Sequence, residues 1–395
     1  MKKNLIFLFD GTANDATVQT DSALDSFTNV YAINQIIADA ALISRNNIII
    51  TVPQITFYMP GVGTTFTVRR PSRDIWAWQW GDRVRQKVFG DGLEQLILRA
   101  YINLSANYSP GDGIVCVGFS RGAVAARIFT RLISDFGVLT SSKLMMLDRV
   151  WNEFIDISKT QVDAEYYEKI AMLKQEVKAA FKSKDRRNVV FYDDENVCVD
   201  FLGLFDTVMG KSDDDRIKHI TLRDLRPASK VRKVVHLLGM HEVRDLYELK
   251  RVNTDGIASD IVREIWIPGV HSDVGGGYPE NLIGNVSLLT MAELMKEMGG
   301  VELEQSGYNN VVSSIKEKYG LGPMIVNKEP WVTKAVSRRH LVRNGDELHP
   351  LHWHLIGKKV YWKGVTLPLF YEDRFIANQN RQDEALKTTF DTWIS

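Results

Sequence analysis

Short apolar runs alternate along this chain with longer stretches in which apolar residues recur every three or four positions. Leu5-Ile6-Phe7-Leu8-Phe9 is the first run, and the turn Asp10-Gly11-Thr12 stops it. A strand buried on both faces reads this way, because neither face needs polar residues. Val30, Ile33, Ile37 and Ala41 then keep helical spacing and predict a helix over 27–43. Ile55-Thr56-Phe57-Tyr58 predicts a second strand ahead of Pro60-Gly61-Val62-Gly63, and Leu96, Ile97, Ala100 and Leu104 a helix over about 93–106. Ile114-Val115-Cys116-Val117 predicts a third strand, followed by a helix from Arg121 to Phe136. The runs 197–204 and 265–267 predict two more strands, ending at Asp206 and at Pro268-Gly269, with a helix near 236–242 between them and another over 291–298. Such alternation predicts an α/β fold: a mostly parallel sheet with helices on both faces. Residues 1–280 read as the main domain, 140–187 within it as a helical insertion, and 281–395, where the pattern weakens, as a C-terminal cap or extension packed on it.

Composition narrows the classes. Forty-five per cent hydrophobic residues and a balance of 49 Lys+Arg against 49 Asp+Glu exclude a disordered chain. The same balance removes nucleic acid as a general partner, since phosphate neutralisation needs a basic surplus. Cys116 and Cys198 read as buried free thiols. The apolar run near the N-terminus is too short for a signal peptide and meets Asp10. No apolar stretch approaches the roughly 20 residues of a membrane span. The expectation is a cytoplasmic protein whose membrane contact is peripheral and whose export needs a dedicated machine.

The candidate chemistry begins at Gly118-Phe119-Ser120-Arg121-Gly122. It has the form G-x-S-x-G and falls between a predicted buried strand and a predicted helix, the context of a nucleophile elbow. Small residues two positions either side let the backbone fold back, and the new helix aims N–H groups at a developing oxyanion. A serine needs a base, and the base an orienting acid. In α/β-hydrolase order, serine, acid, histidine, these are Ser120, Asp206 and His271, each just past a predicted strand. Asp10 and Asp273 are alternative acids, although Asp10 also suits a loop brace. The oxyanion donors are the Arg121 N–H and an N–H of Gly11 or Thr12. The chemistry implied is a serine hydrolase that needs no cofactor. The alternatives are a metal-dependent hydrolase built on Asp10, Asp206, Asp273 and His271, or a non-catalytic interaction module.

Phe9-Asp10-Gly11-Thr12, Tyr58 with Gly61-Val62-Gly63-Thr64, Gly118 to Ala123, Phe205-Asp206-Thr207-Val208 and the block Pro268 to Tyr278 come in a distinctive order. They resemble the successive blocks of an uncharacterised α/β-hydrolase domain family of bacteria and fungi. Its characterised members include phospholipase effectors delivered by type VI secretion. The resemblance implies an α/β-hydrolase-like fold and a lipolytic Ser120–Asp206–His271 triad acting on acyl esters or phospholipids. It further implies delivery by a specialised secretion system and an immunity or secretion partner protein. Where the family tends to read His-Ala-x-x-x-Asp-Glu, this chain has His236 to Glu242 with no aspartate before the glutamate.

Trp76, Trp78 and Trp80 stand together among Arg69, Arg70, Arg83 and Arg85. Amphipathic indoles among arginines suit a lipid interface with anionic headgroups, so this segment is the candidate lid or lipid contact. A soluble esterase or acyltransferase would not need it. His236 and His241, five apart, miss the spacing of a helical metal pair and read as structural. His349, His352 and His354 read as a packed loop around Pro350, and Arg127 as a structural clamp. No metal site is expected.

Overall fold

The computed structural model describes residues 3–12, 27–45, 48–62, 91–181, 189–193, 197–209, 225–244, 247–320, 325–326, 341–362, 369–371 and 380–395. The central sheet has eight strands: β1 (Asn4–Phe9), β2 (Ala40–Arg45), β3 (Ile48–Met59), β4 (Gly113–Phe119), β7 (Phe201–Phe205), β8 (Val234–Gly239), β9 (Val262–Ile267) and β11 (Glu347–Leu348). The short β5 (Val138–Leu139) pairs with β6 (Phe191–Tyr192), while β10 (Ile325–Val326), β12 (Lys359–Trp362) and β13 (Leu369–Phe370) form a third sheet. Across the large sheet the order is β11-β9-β8-β7-β4-β1-β3-β2. All its neighbours run parallel except the edge pair β2–β3.

Register brings the strand ends together. Phe9 pairs with Gly118 and with Met59, Phe119 with Phe205, Phe205 with Leu237, and Gly239 with Ile267. The residues that follow, Asp10, Ser120 and Asp206, therefore leave one edge of the sheet. The chain winds outward from β1 and β4 in opposite directions, and ligands of open α/β sheets bind at such a switch point.

Alternation within the buried strands divides the core in two. Leu5, Phe7 and Phe9 pack with α2 (Asp91–Asn107), α3 (Arg121–Phe136), α4 (Leu147–Ile157) and α5 (Asp163–Ala179). Ile6 and Leu8 point the other way, to α1 (Asn29–Ile36), α7 (Leu282–Gly299), α8 (Gln305–Gly320), α9 (Pro350–Leu355) and α10 (Glu384–Ile394). The helical character expected for 140–187 is present in α4, α5 and a 3-10 turn at Ser141–Met146. The segment after residue 280 supplies one helical face and, through β11, an edge strand of the sheet itself.

Three elements differ from the sequence expectation. The helix over 27–43 ends at Ile36: Ile37 turns extended, with φ −79 and ψ 129, and bridges to Leu303. Residues 40–45 then form a strand, in which Ala41 is 3% and Leu42 65% exposed, a period of two. Residues 234–239 are the strand β8, buried throughout, where a helix is expected near 236–242. A short apolar run cannot distinguish these two states by periodicity alone. Cys116 and Cys198 are buried thiols outside any disulfide among the described residues, as expected.

Candidate functional site

Ser120 sits between β4 and α3 with φ 58 and ψ −125, and its N–H still pairs with the Phe205 carbonyl. An L-residue rarely takes positive φ without some surrounding constraint. Here the constraint is contact between backbones. A Cβ on Gly118 would lie 2.5 Å from the Gly122 carbonyl oxygen, and one on Gly122 would lie 2.2 Å from that of Phe9. Each glycine is thus required by close approach, one within the turn and one against the end of β1. Ser120 is 6% exposed, and the amino end of α3 opens beside it.

Asp206 follows β7 at φ 40 and is fully buried. Its Oδ1 accepts the Gly239 N–H at 2.8 Å, and its Oδ2 lies 2.6 Å from His271 Nδ1. The acid is therefore fixed by the end of β8, and it fixes His271 at the start of the short helix α6 (His271–Gly275). The imidazole packs between Phe119 and Tyr247, each ring centroid 4.7 Å away. Among the described residues Ser120 Oγ and His271 share no hydrogen bond; such bonds commonly close only around a substrate.

The other two candidate acids are occupied differently. Asp10 Oδ1 accepts the Gly11 N–H at 2.6 Å, and Oδ2 accepts the hydroxyls of Thr28 at 2.8 Å and Tyr58 at 2.6 Å. That carboxylate ties the loop after β1 to α1 and β3. Asp273 Oδ2 accepts the Val270 N–H at 2.9 Å at the start of α6. Of the two loop amides considered for the oxyanion, that of Gly11 is already turned to Asp10. The Arg121 side chain reaches back to the same loop, Nε donating to Thr12 Oγ1. Burial pulls the Arg121 guanidinium below its usual pKa, with the nearby Tyr247 opposing.

Glu242 is a site residue that the sequence pattern left without a role. Its Oε2 accepts the His271 N–H at 3.2 Å, and it holds Arg244 through Nε and Nη2 at 2.9 and 2.8 Å. Burial opposes its charge, but Arg244 outweighs burial and lowers its pKa. Arg244 in turn lies 3.6 Å over the Tyr247 ring. The signal was positional: Glu242 stands just past the end of β8, at the edge shared by Ser120 and Asp206.

The remaining candidates separate from the site. Arg127 is a clamp, donating to the Leu225 and Lys250 carbonyls. His241 accepts the Gly269 N–H at 2.8 Å. His349 is the N-cap of α9, whose residues form a helix where a loop is expected. Trp76, Trp78 and Trp80 lie outside the described residues, as do Gly63 and Thr64. Among the described residues, no group of three His, Cys, Asp or Glu side chains could hold a metal ion, and no helix is long and apolar enough to cross a membrane.

Residues 3–297 match the model of a family described as type VI secretion system phospholipase effector Tle1-like, catalytic domain. An uncharacterized protein of Saccharomyces cerevisiae is 27% identical over 209 residues, 52% of this chain and 26% of its own length. The chain thus matches about a quarter of that curated relative. Two solved structures are similar. One is an uncharacterized protein from Pseudomonas aeruginosa, 19% identical with a TM-score of 0.41, covering 79% of this chain and 48% of that one. The other is the Tle1 effector bound to the VgrG spike from the type 6 secretion system, 21% identical with a TM-score of 0.36, covering 70% and 51%.

Proposed function

The chain belongs to the Tle1-like phospholipase effector catalytic-domain family, and we propose on that footing that it is a serine hydrolase cleaving acyl esters of phospholipids. The observation that carries the mechanism is the 2.6 Å contact of Asp206 with His271 at the sheet edge where Ser120 is held at positive φ. With Nδ1–H donated to Asp206, the imidazole presents Nε2 as the base. Ser120 Oγ loses its proton to Nε2 and attacks the acyl carbonyl, and the Arg121 and Thr12 N–H groups receive the negative charge. The imidazolium, stabilised by Asp206, then protonates the leaving alcohol. Water, deprotonated in turn by His271, releases the acid. Glu242 and Tyr247 keep the imidazole in its place.

Ser120→Ala and His271→Ala, both folded, should lose hydrolysis of soluble nitrophenyl esters by about four orders of magnitude or more. Fluorophosphonate should label Ser120 in the parent protein and nothing in Ser120→Ala. Activity that survives either substitution would exclude the triad. Liposome hydrolysis set against the soluble ester tests the lipid assignment: a strong preference for the soluble ester would point to a non-lipid acyl group. By the same family reading, a secretion-spike or immunity protein is the partner class, and delivery is by a specialised secretion system.

A further inference from the structure

His236, on β8, has no place in the mechanism above, yet it is fully buried directly behind the proposed acid. Its Nε2 receives the Thr207 N–H at 3.2 Å and the Thr207 hydroxyl at 3.0 Å. Nε2 is therefore an acceptor, so the ring is neutral and its proton sits on Nδ1, facing Glu264 Oε1 at 3.1 Å. Glu264 Oε2 accepts from Arg251 Nε at 2.8 Å, and the Arg251 guanidinium grips both oxygens of Asp346 at 2.9 Å. Asp346 is fixed besides by the Trp266 indole N–H at 3.0 Å and the Arg343 N–H at 2.8 Å. The chain of contacts is continuous from residue 346 to residue 207. Charge follows the same order. Burial pushes the His236 ring down, with Glu264 opposing. Burial also opposes ionisation of Glu264, but its hydrogen bonds and Arg251 hold the carboxylate well below the usual range.

The geometry matters because strand pairing ends at Asp206, whose own N–H is the last of β7 to meet β8, at the Leu237 carbonyl at 2.8 Å. At φ 40 its backbone leaves the regular strand path, and the next N–H, that of Thr207, meets a side chain instead of a neighbouring strand. We propose that His236 is a positioning residue for Asp206, and that Asp346, in the segment beyond the family match, anchors it through Arg251 and Glu264. This rests on the serine reading of the site. Its substance is that the region after residue 297 sets the geometry of the acid, beyond covering one face of the sheet. His236 touches no reacting atom; it acts through the Thr207 N–H on the backbone turn that aims the Asp206 carboxylate at His271.

The test uses the full chain and soluble nitrophenyl ester kinetics, with folding checked by thermal denaturation. His236→Phe keeps a ring but removes the acceptor. It should lower kcat about 100-fold, the scale of a displacement near 1 Å, with KM changed by less than about threefold. His236→Gln offers an amide oxygen to Thr207 and should recover most of that loss. Asp346→Asn, at the far end, should lower kcat about 10-fold with the fold intact. In an Asp206→Ala background neither substitution should lower kcat further, because the group they position is gone. Wild-type kcat in folded His236→Phe overturns the proposal, as do losses that simply multiply with Asp206→Ala. Should His236→Phe not fold, Asp346→Asn decides alone: a kcat loss absent in the Asp206→Ala background supports the proposal, and no loss overturns it. Activity that survives Ser120→Ala removes the serine reading and this inference with it. Activity lost in Ser120→Ala alongside multiplicative His236 and Asp206 effects removes only this inference.

Discussion

Ser120 carries strain that its proposed role as nucleophile requires. Its φ of 58 and ψ of −125 suit glycine, and a side chain there costs about 1 kcal/mol. Ser120→Gly should therefore unfold at higher urea, by about 1 kcal/mol, while losing ester hydrolysis; an unchanged or lower midpoint would mean that the turn is relaxed. Gly122 behaves in the opposite sense. A Cβ there would press on the carbonyl oxygens of Phe9 and Asp10 at 2.2 and 2.4 Å, atoms already committed to the sheet and loop. Gly122→Ala should cost about 3 kcal/mol or more, read as a fall in urea midpoint, together with loss of activity as β1 and α3 are forced apart. Ser120, Asp206 and His271 were legible in the sequence because each ends or closely follows a buried apolar run, so their common edge follows from the strand pattern. Glu242 and His236 were not. The contacts that tie them to the site, with the His271 and Thr207 amides, lie 29 residues away and are to backbone groups that leave no mark on residue type.

Elements were legible where burial was complete and partners were central. β1 from Leu5 to Phe9, and β4 throughout, are apolar because neighbours cover both their faces. The edge ribbon β2–β3 was missed in part because Leu42, Ile49 and Ile50 are exposed apolar residues, which blur the inside–outside alternation. Helix α1 shows how one cap joins an element to the site. The Thr28 hydroxyl accepts the Tyr31 N–H at 3.2 Å and donates to Asp10 at 2.8 Å. Thr28→Ala should cost about 1–2 kcal/mol, for the lost cap and one lost donor to a buried carboxylate. Thr28→Ser should keep both bonds and stay near the parent in urea denaturation. Equal destabilisation by Ala and Ser would instead place the effect in the lost methyl group.

For the whole molecule, the described C-terminal helices α8, α9 and α10 are bound into the same interior as β1 and α1, and acid should reveal it. His349 is fully buried, its Nδ1 accepting the Leu351 N–H at 3.0 Å. Its other nitrogen meets Thr290 Oγ1 at 2.9 Å, a hydroxyl that itself donates to Val286. Nε2–H therefore donates to Thr290, the Leu351 bond needs Nδ1 unprotonated and the ring neutral, and burial, aided by Arg263, drives its pKa down to about 3. An unfolded histidine takes up a proton near pH 6.5 that the folded one refuses. Stability from this residue is therefore complete above about pH 6.5 and declines as pH falls toward 3, by about 2 kcal/mol at pH 5. His349→Asn retains a capping oxygen and should show a loss between pH 7 and pH 5 that is smaller by about that amount; an identical loss would contradict the buried neutral ring. The two glycines of the elbow have a consequence of the same breadth. They are demanded by backbones of the sheet and its turn, not by any reacting group, whereas replacing the proposed nucleophile Ser120 should leave the fold undisturbed. A lineage that abandoned hydrolysis could discard the serine and would still have to inherit Gly118 and Gly122. Among descendants of such a chain, the glycines would report ancestry, and only the serine the proposed trade.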